Sequence, residues 1–344
     1  MRRTGSSPPT RQKPQSNQLE SLPFAAPCSF HELGARTDGN SGWLWEGILM
    51  SGCLTLLTSQ WKSGKTTLLS ILLAKLHSGG SLLGQRVRSG RAMVISEENE
   101  LLWRERGRKL DFGPKSRWLC RPFPGKPTPE AWSALIDYLV AEHAKEPFDL
   151  VAIDSLAVFL PTRSENESTC MLEALLPLQR LTAAGMSILG LHHPKKGEVQ
   201  AGQAARGAGA LPGSVDILLE MYWHSRPFED DRRRRLLGFS RFDETPRRLL
   251  FELNAERTDY LVHGDYLDEE FARDLQALYR VLGDDQHKLT RHEILDDWPE
   301  ECERPDENTL WRWLDRAVKQ GLILHEGLGR RNSPFRYWLP GEGR

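Results

Sequence analysis

Up to about residue 193, short apolar runs alternate with segments whose apolar residues recur every three or four positions, the pattern of buried strands separated by helices. The strand-like runs are Cys53–Thr58, Arg91–Ser96, Arg117–Cys120, Phe148–Asp154 and Met186–Leu191. Helical spacing covers Lys65–Leu76, with apolar Leu68, Leu69, Leu72, Leu73 and Leu76, and then about 100–110, 130–145 and Thr169–Ala184. Beyond it the pattern gives four successive strands with hairpin-like turns, Val215–Trp223, Leu236–Phe242, Arg248–Leu253 and Tyr260–His263. From Asp265 it shifts to three helices, Leu267–Leu282, Thr290–Trp298 and Asn308–Gln320, and a basic hairpin. Alternating strands and helices followed by a run of strands predict an α/β fold, a mainly parallel sheet with antiparallel additions. Three helices and a hairpin are the order of a small winged helix-turn-helix domain.

Composition sets the limits of this picture. Residues 1–28 are rich in Ser, Pro, Gln and Arg and poor in large apolar side chains, which predicts a disordered tail. The main domain is then expected over 29–264 and the winged-helix-like domain over 265–344. A chain of 344 residues has room for one large domain and one small one. The five cysteines show no C-x-x-C spacing, which argues against a zinc site or a disulfide framework. No apolar run approaches a membrane span and the N-terminus lacks a signal-peptide core, so a cytoplasmic protein with no membrane partner is expected. A net charge of −1 gives no global attraction to nucleic acid, leaving only local patches for such contact.

The chemistry concentrates at S-Q-W-K-S-G-K-T-T. Between a strand and a helix, Ser59, Gln60, Trp61, Lys62, Ser63, Gly64, Lys65, Thr66 and Thr67 are expected to cradle the phosphates of ATP with backbone N–H groups. Lys65 supplies charge for the β/γ-phosphates and the Thr66 hydroxyl is placed to ligate Mg²⁺. The position where this motif opens with glycine holds Ser59, so the loop must open on a residue with a Cβ. Asp154 closes an apolar strand and is the expected second metal residue. Glu97 and Glu98 end the strand after the loop's helix, where a carboxylate reaches a lytic water, and Glu97 comes directly off the strand. His192 and His193 end another strand on the same edge and are candidate γ-phosphate sensors. Arg206, in a Gly/Ala-rich loop, is a candidate arginine finger, with Lys195 and Lys196 as weaker ones.

With these residues in place the chain resembles the RecA-like AAA family ATPases, of the AAA family 25 and RepA/DnaB hexameric helicase group. The matching pieces are L-T-L-L-T-S-Q-W-K-S-G-K-T-T at 54–67, V-I-S-E-E-N at 94–99, F-D-L-V-A-I-D-S at 148–155, L-G-L-H-H-P-K-K at 189–196 and A-R-G-A-G-A-L at 205–211. The resemblance implies a RecA-like P-loop NTPase core. It also implies Lys65 and Thr66 on phosphate and Mg²⁺, Glu97 as catalytic carboxylate, Asp154 as the Walker B residue, His192 or His193 as sensor and Arg206 as finger. It further implies a homo-oligomer, such as a hexamer, with nucleotide at subunit interfaces and the finger acting in trans.

The C-terminal region resembles a winged helix-turn-helix. Leu310, Leu314, Ala317 and Val318 form its third helix's inward stripe, while Arg312, Arg316 and Lys319 share the opposite face. Arg330, Arg331 and Arg336 load the wing. Residues 288–344 carry 10 Lys/Arg against 11 Asp/Glu, so the signal is a patch suited either to DNA or to protein docking. Arg232–Arg235, after Glu229-Asp230-Asp231, are expected at a solvated hairpin tip; the sharper alternative is a nucleic-acid contact from a ring's inner surface. Two functions compete: a Mg²⁺-dependent ATPase motor on DNA, and a slow ATP switch that governs binding to DNA or protein.

Overall fold

The computed structural model describes residues 27, 29, 30, 42–162, 168–194, 213–225, 231–283 and 288–340. The chain divides into two compact units, 1–42 and 43–344. The expected disordered tail over 1–28 lies, apart from Pro27, outside the described residues, as do Lys195, Lys196 and Arg206.

In the second unit β1 (Trp43–Trp45) and β2 (Leu49–Met50) lead into β3 (Leu54–Ser59) and α1 (Lys65–Ser78). Short strands β4 (Gly80–Leu82) and β5 (Gln85–Val87) precede β6 (Ala92–Ser96), α2 (Glu100–Gly107), β7 (Ser116–Cys120), α3 (Pro129–Lys145) and β8 (Leu150–Asp154). Next come α4 (Leu156–Phe159), α5 (Ser168–Leu175), α6 (Leu178–Ala183) and β9 (Ser187–His192). Four strands follow, β10 (Ile217–Trp223), β11 (Arg233–Ser240), β12 (Arg248–Leu253) and β13 (Tyr260–Gly264). The spacing over Thr169–Ala184 predicts one helix, and the structure breaks it between α5 and α6. Pro177 is the physical reason, because it has no N–H to donate back into the preceding turn.

Nine strands form one sheet in the order β13-β12-β11-β10-β3-β9-β8-β6-β7. From β10 to β7 every neighbour pair is parallel, and β11, β12 and β13 extend the sheet antiparallel. The expected α/β fold with a mainly parallel sheet is therefore present. Side chains alternate across its two faces, as strand geometry requires. Leu57, Val94, Ala152 and Leu189 pack toward α1, whereas Leu56, Ile95, Val151 and Ile188 pack toward α3, α5 and α6. The helix α1 is apolar almost all round because β1, β2, β4 and β5 contribute Trp43, Trp45, Leu49, Leu82 and Val87 to the same core.

Parallel pairing also fixes the site. The last residues of β3, β9, β8 and β6 meet one edge of the sheet, with Thr58 opposite His192, Asp154 opposite Leu191 and Ser96 opposite Asp154. Because β11 runs antiparallel, its first residues reach that same edge, Arg234 opposite Trp223.

After β13 the chain forms α7 (Tyr266–Leu282), β14 (Leu289–Thr290), α8 (Arg291–Asp296), α9 (Glu307–Lys319), β15 (Leu324–Glu326) and β16 (Arg336–Trp338). Asp265, Thr290 and Asp306 cap the three helices through side-chain oxygens, Thr290 with Glu293 in a capping box. Phe271, Leu278, Ile294, Leu310, Leu314, Ala317 and Tyr337 close a separate core there. Among the described residues, no helix is long and apolar enough to cross a membrane.

Two expectations about charge are corrected here. Arg233, Arg234 and Arg235 do not sit at a solvated tip; they are half-buried within β11, with named partners on both faces. The strand starts three residues before Leu236, where the sequence pattern starts it, because ion pairs and carbonyls satisfy the guanidiniums. Arg316 also leaves the exposed face predicted for it. It donates to Leu267 O at 3.1 Å, pairs with Asp268 and lies 4.1 Å from the Phe271 ring centroid, bracing α9 on α7.

Candidate nucleotide-binding site

The loop between β3 and α1 turns on two residues with positive φ, Lys62 at 58° and Gly64 at 106°. Gly64 is the N-cap of α1 and has no Cβ to resist that conformation. Ser59 remains in extended backbone at the end of β3, so the glycine that opens this motif elsewhere is not needed for the turn. Its hydroxyl instead pairs with that of Ser63 at 2.6 Å, and Ser63 Oγ also donates to Gln60 O at 2.6 Å. The first turn of a 14-residue helix thus opens on the loop, where its orphan N–H groups and dipole favour an anion. Trp61 is 63% exposed at the loop's outer side, with Lys62 Nζ over its ring.

Lys65 is buried, and its Nζ donates to Ser59 O at 2.8 Å and Gln60 O at 3.3 Å. Nδ1 of His193 lies 3.3 Å from the same ammonium. His192, one residue earlier, is buried within the sheet opposite Thr58. The structure thus separates the two histidines: His193 reaches the loop lysine and His192 belongs to the strand.

On the other side of the loop, Thr66 Oγ1 donates to Asp154 Oδ2 at 2.8 Å. The carboxylate lies at the end of β8, with β9 between it and β3. The Asp154–Ser155 peptide is cis. Next to it, the Glu97 N–H donates to Asp154 O at 2.8 Å, which draws the end of β6 to the end of β8. Glu98 points elsewhere: Arg106 of α2 grips both its oxygens, one at 2.9 Å. Ser96 Oγ holds this turn by accepting from Glu98 N–H and Trp103 Nε1.

Burial shifts the titration of Lys65, Asp154 and Glu97. The Lys65 ammonium is pulled down to about 8 by burial, against the pull of Asp154 and Glu97. The Asp154 carboxyl is pushed up to about 6, again chiefly by burial, with the neighbouring carboxylates adding to the rise. Glu97 is raised for the same reasons, burial first. A polyphosphate would supply an anion to the buried Lys65 ammonium, and a hard divalent ion a cation to the Asp154 and Glu97 carboxylates. The donors fit Mg²⁺: a hydroxyl and a carboxylate oxygen at one point, too few for an all-protein cage and suited to sharing a metal with phosphate. Consistently, among the described residues no group of three or more His, Cys, Asp or Glu could hold a metal alone.

One residue of this edge went unrecognised in the sequence. Arg234 of β11 donates from Nε to Ser63 O inside the loop, at 2.9 Å. Four consecutive arginines were the visible signal, but only the strand's antiparallel direction brings one of them, Arg234, to the loop.

A parallel sheet with a glycine-turned loop, a buried lysine and a Thr–Asp pair at its carboxyl edge defines a P-loop nucleotide-binding core. A family model described as an AAA domain matches residues 22–199, just over half the chain, and the chain belongs to that family. Comparison with curated proteins finds no match.

Proposed function

We propose that this protein binds and hydrolyses ATP with Mg²⁺, in the manner of RepA/DnaB-like ATPases, and works on DNA. The observation that carries the reading is the contact of Thr66 with Asp154 beside Lys65, on the edge to which the Glu97 backbone is tied. In this reading the loop N–H groups and Lys65 hold the phosphates, and Thr66 with Asp154 would hold Mg²⁺. The bound ion supplies positive charge against the phosphate oxygens. Glu97, whose neighbour Glu98 is committed to Arg106, orients the attacking water and takes its proton; the raised affinity of Glu97 for a proton suits that task. His193 shares the Lys65 ammonium and hydrogen-bonds the γ-phosphate. Arg206 acts as a finger across a subunit boundary in a homo-oligomer, and mixing variants tests this.

The C-terminal helices and hairpin are assigned to a winged helix. Its exposed cations, Arg312, Lys319, Arg330 and Arg331, are the candidate DNA contacts, with Lys319 partly offset by Asp315 at 2.7 Å. The diversion of Arg316 into the α7–α9 contact favours the second reading, an ATP-governed switch whose winged helix docks a protein. ATP turnover with Mg²⁺, with and without single-stranded DNA, separates the two. Strong stimulation by DNA, lost in Lys65→Ala and Arg206→Ala and partly recovered on mixing them, supports the motor. Slow turnover indifferent to DNA supports the switch.

A further inference from the structure

We infer that Arg234 is a positioning residue for the phosphate loop, acting through the Ser63–Gly64 peptide. Its Nε donates to Ser63 O at 2.9 Å, while Nη1 donates to Asp231 O at 2.9 Å and Arg233 O at 2.7 Å. The guanidinium carbon lies 3.6 Å from the centroid of the Trp223 ring, its register partner across β10 and β11. Three carbonyls and an aromatic face thus hold the group in one orientation, and a flat five-donor cation suits this arrangement where lysine does not.

A peptide unit is planar and trans, so its C=O and N–H point in opposite directions. Fixing the Ser63 carbonyl therefore fixes the direction of the Gly64 N–H, one of the groups with which such a loop meets phosphate. Gly64, at φ +106°, has unusual freedom to rotate that peptide, and the clamp removes it. The charge is also informative. A cation one residue before a helix N-cap opposes the helix dipole, which makes the placement unfavourable for the empty loop and favourable for an anion-filled one.

The strand carrying Arg234 is anchored from its other face. Arg233 pairs with Asp231 and with Glu269 of α7, both at 3.0 Å, and Arg235 reaches Glu270 at 3.4 Å. Alternate side chains of one strand thus grip α7 and the phosphate loop.

The assignment rests on ATP occupying this loop, and the test separates the two. ATP affinity is measured by calorimetry for the full chain, Lys65→Ala, Arg234→Ala and Arg234→Met, the last keeping apolar contact with Trp223. The Gly64 amide ¹⁵N signal, which responds to the hydrogen bond on the preceding carbonyl, is followed in glycine-labelled protein. Loss of a charged hydrogen bond predicts roughly tenfold weaker ATP binding in Arg234→Met, with a shifted Gly64 signal and an unchanged melting temperature. ATP affinity within twofold of wild type in a folded Arg234→Met protein, with Lys65→Ala impaired, overturns the role of Arg234 and leaves the site. Weaker binding with a lower melting temperature and an unmoved Gly64 signal overturns it too, by reducing Arg234 to a scaffold residue. Wild-type binding in Lys65→Ala removes the nucleotide site, and Arg234's role with it.

Discussion

The parallel and antiparallel halves of the large sheet treat charge in opposite ways. In the parallel strands β3, β9, β8 and β6, no charged side chain precedes the last residue, and charge gathers at the carboxyl edge, where Lys65 and Asp154 are buried and Glu97 is half-buried at some cost to their charged forms. In the antiparallel half, β11 carries three arginines in a row, each matched by carboxylates or carbonyls. Among the described residues Lys65, Asp154 and Glu97 have no ion-pair partner, and there we place the ligand; the arginines of β11, held by ion pairs and carbonyls, frame that place.

The largest effect is expected at the carboxyl edge. Lys65→Ala should lower ATP turnover by roughly 100- to 1,000-fold, because it removes the buried ammonium proposed to meet the phosphates. Steady-state phosphate release measures this, and retention of half the activity would erase the distinction between the halves. Next comes Asp154→Asn. The folded-state value of about 6 lies above the ordinary 3.8, so the native protein holds the proton more tightly than the unfolded chain, and metal-free stability falls as pH rises from about 4 to 6. Two units correspond to roughly 3 kcal/mol. The asparagine, which keeps an acceptor for Thr66 and carries no charge, should flatten that fall and melt higher than wild type at pH 7.5 without metal. Equal melting curves across this range would show that the buried carboxylate is already compensated. The smallest effect belongs to the frame: Arg233→Ala and Arg235→Ala, whose ion pairs are partly exposed, should each change stability by about 1 kcal/mol or less and leave ATP affinity unaltered. A tenfold loss of affinity in either would move the function of β11 from support to binding.

The same contrast explains what could be seen in the sequence. Apolar runs ending at Thr58, Ser96, Asp154 and Leu191 identify parallel strands, and parallel strands bring their ends together, so the meeting of the loop with Asp154 and the carboxylates after β6 was legible from order alone. Ser59 looked like a defect because the motif's spacing does not reveal which residues take positive φ; Lys62 and Gly64 do. Glu97 was preferred over Glu98 only for coming directly off the strand, and the structure adds that Arg106, eight residues beyond Glu98, claims Glu98. Arg234 and Arg316 were misjudged for a shared reason: a guanidinium reads as solvated until its carbonyl partners, supplied by distant segments such as Ser63 and Leu267, are in view.

The account turns on the carboxyl edge of the parallel half being a hydrolytic site, and the two glutamates test this most directly. Mg²⁺-dependent ATP turnover and ATP affinity should be measured together for wild type, Glu97→Gln and Glu98→Gln. The account predicts that Glu97→Gln binds ATP as wild type does but turns it over at least about 100-fold more slowly, while Glu98→Gln, which loses only its pair with Arg106, stays within a few-fold of wild type. Wild-type turnover in Glu97→Gln would contradict it.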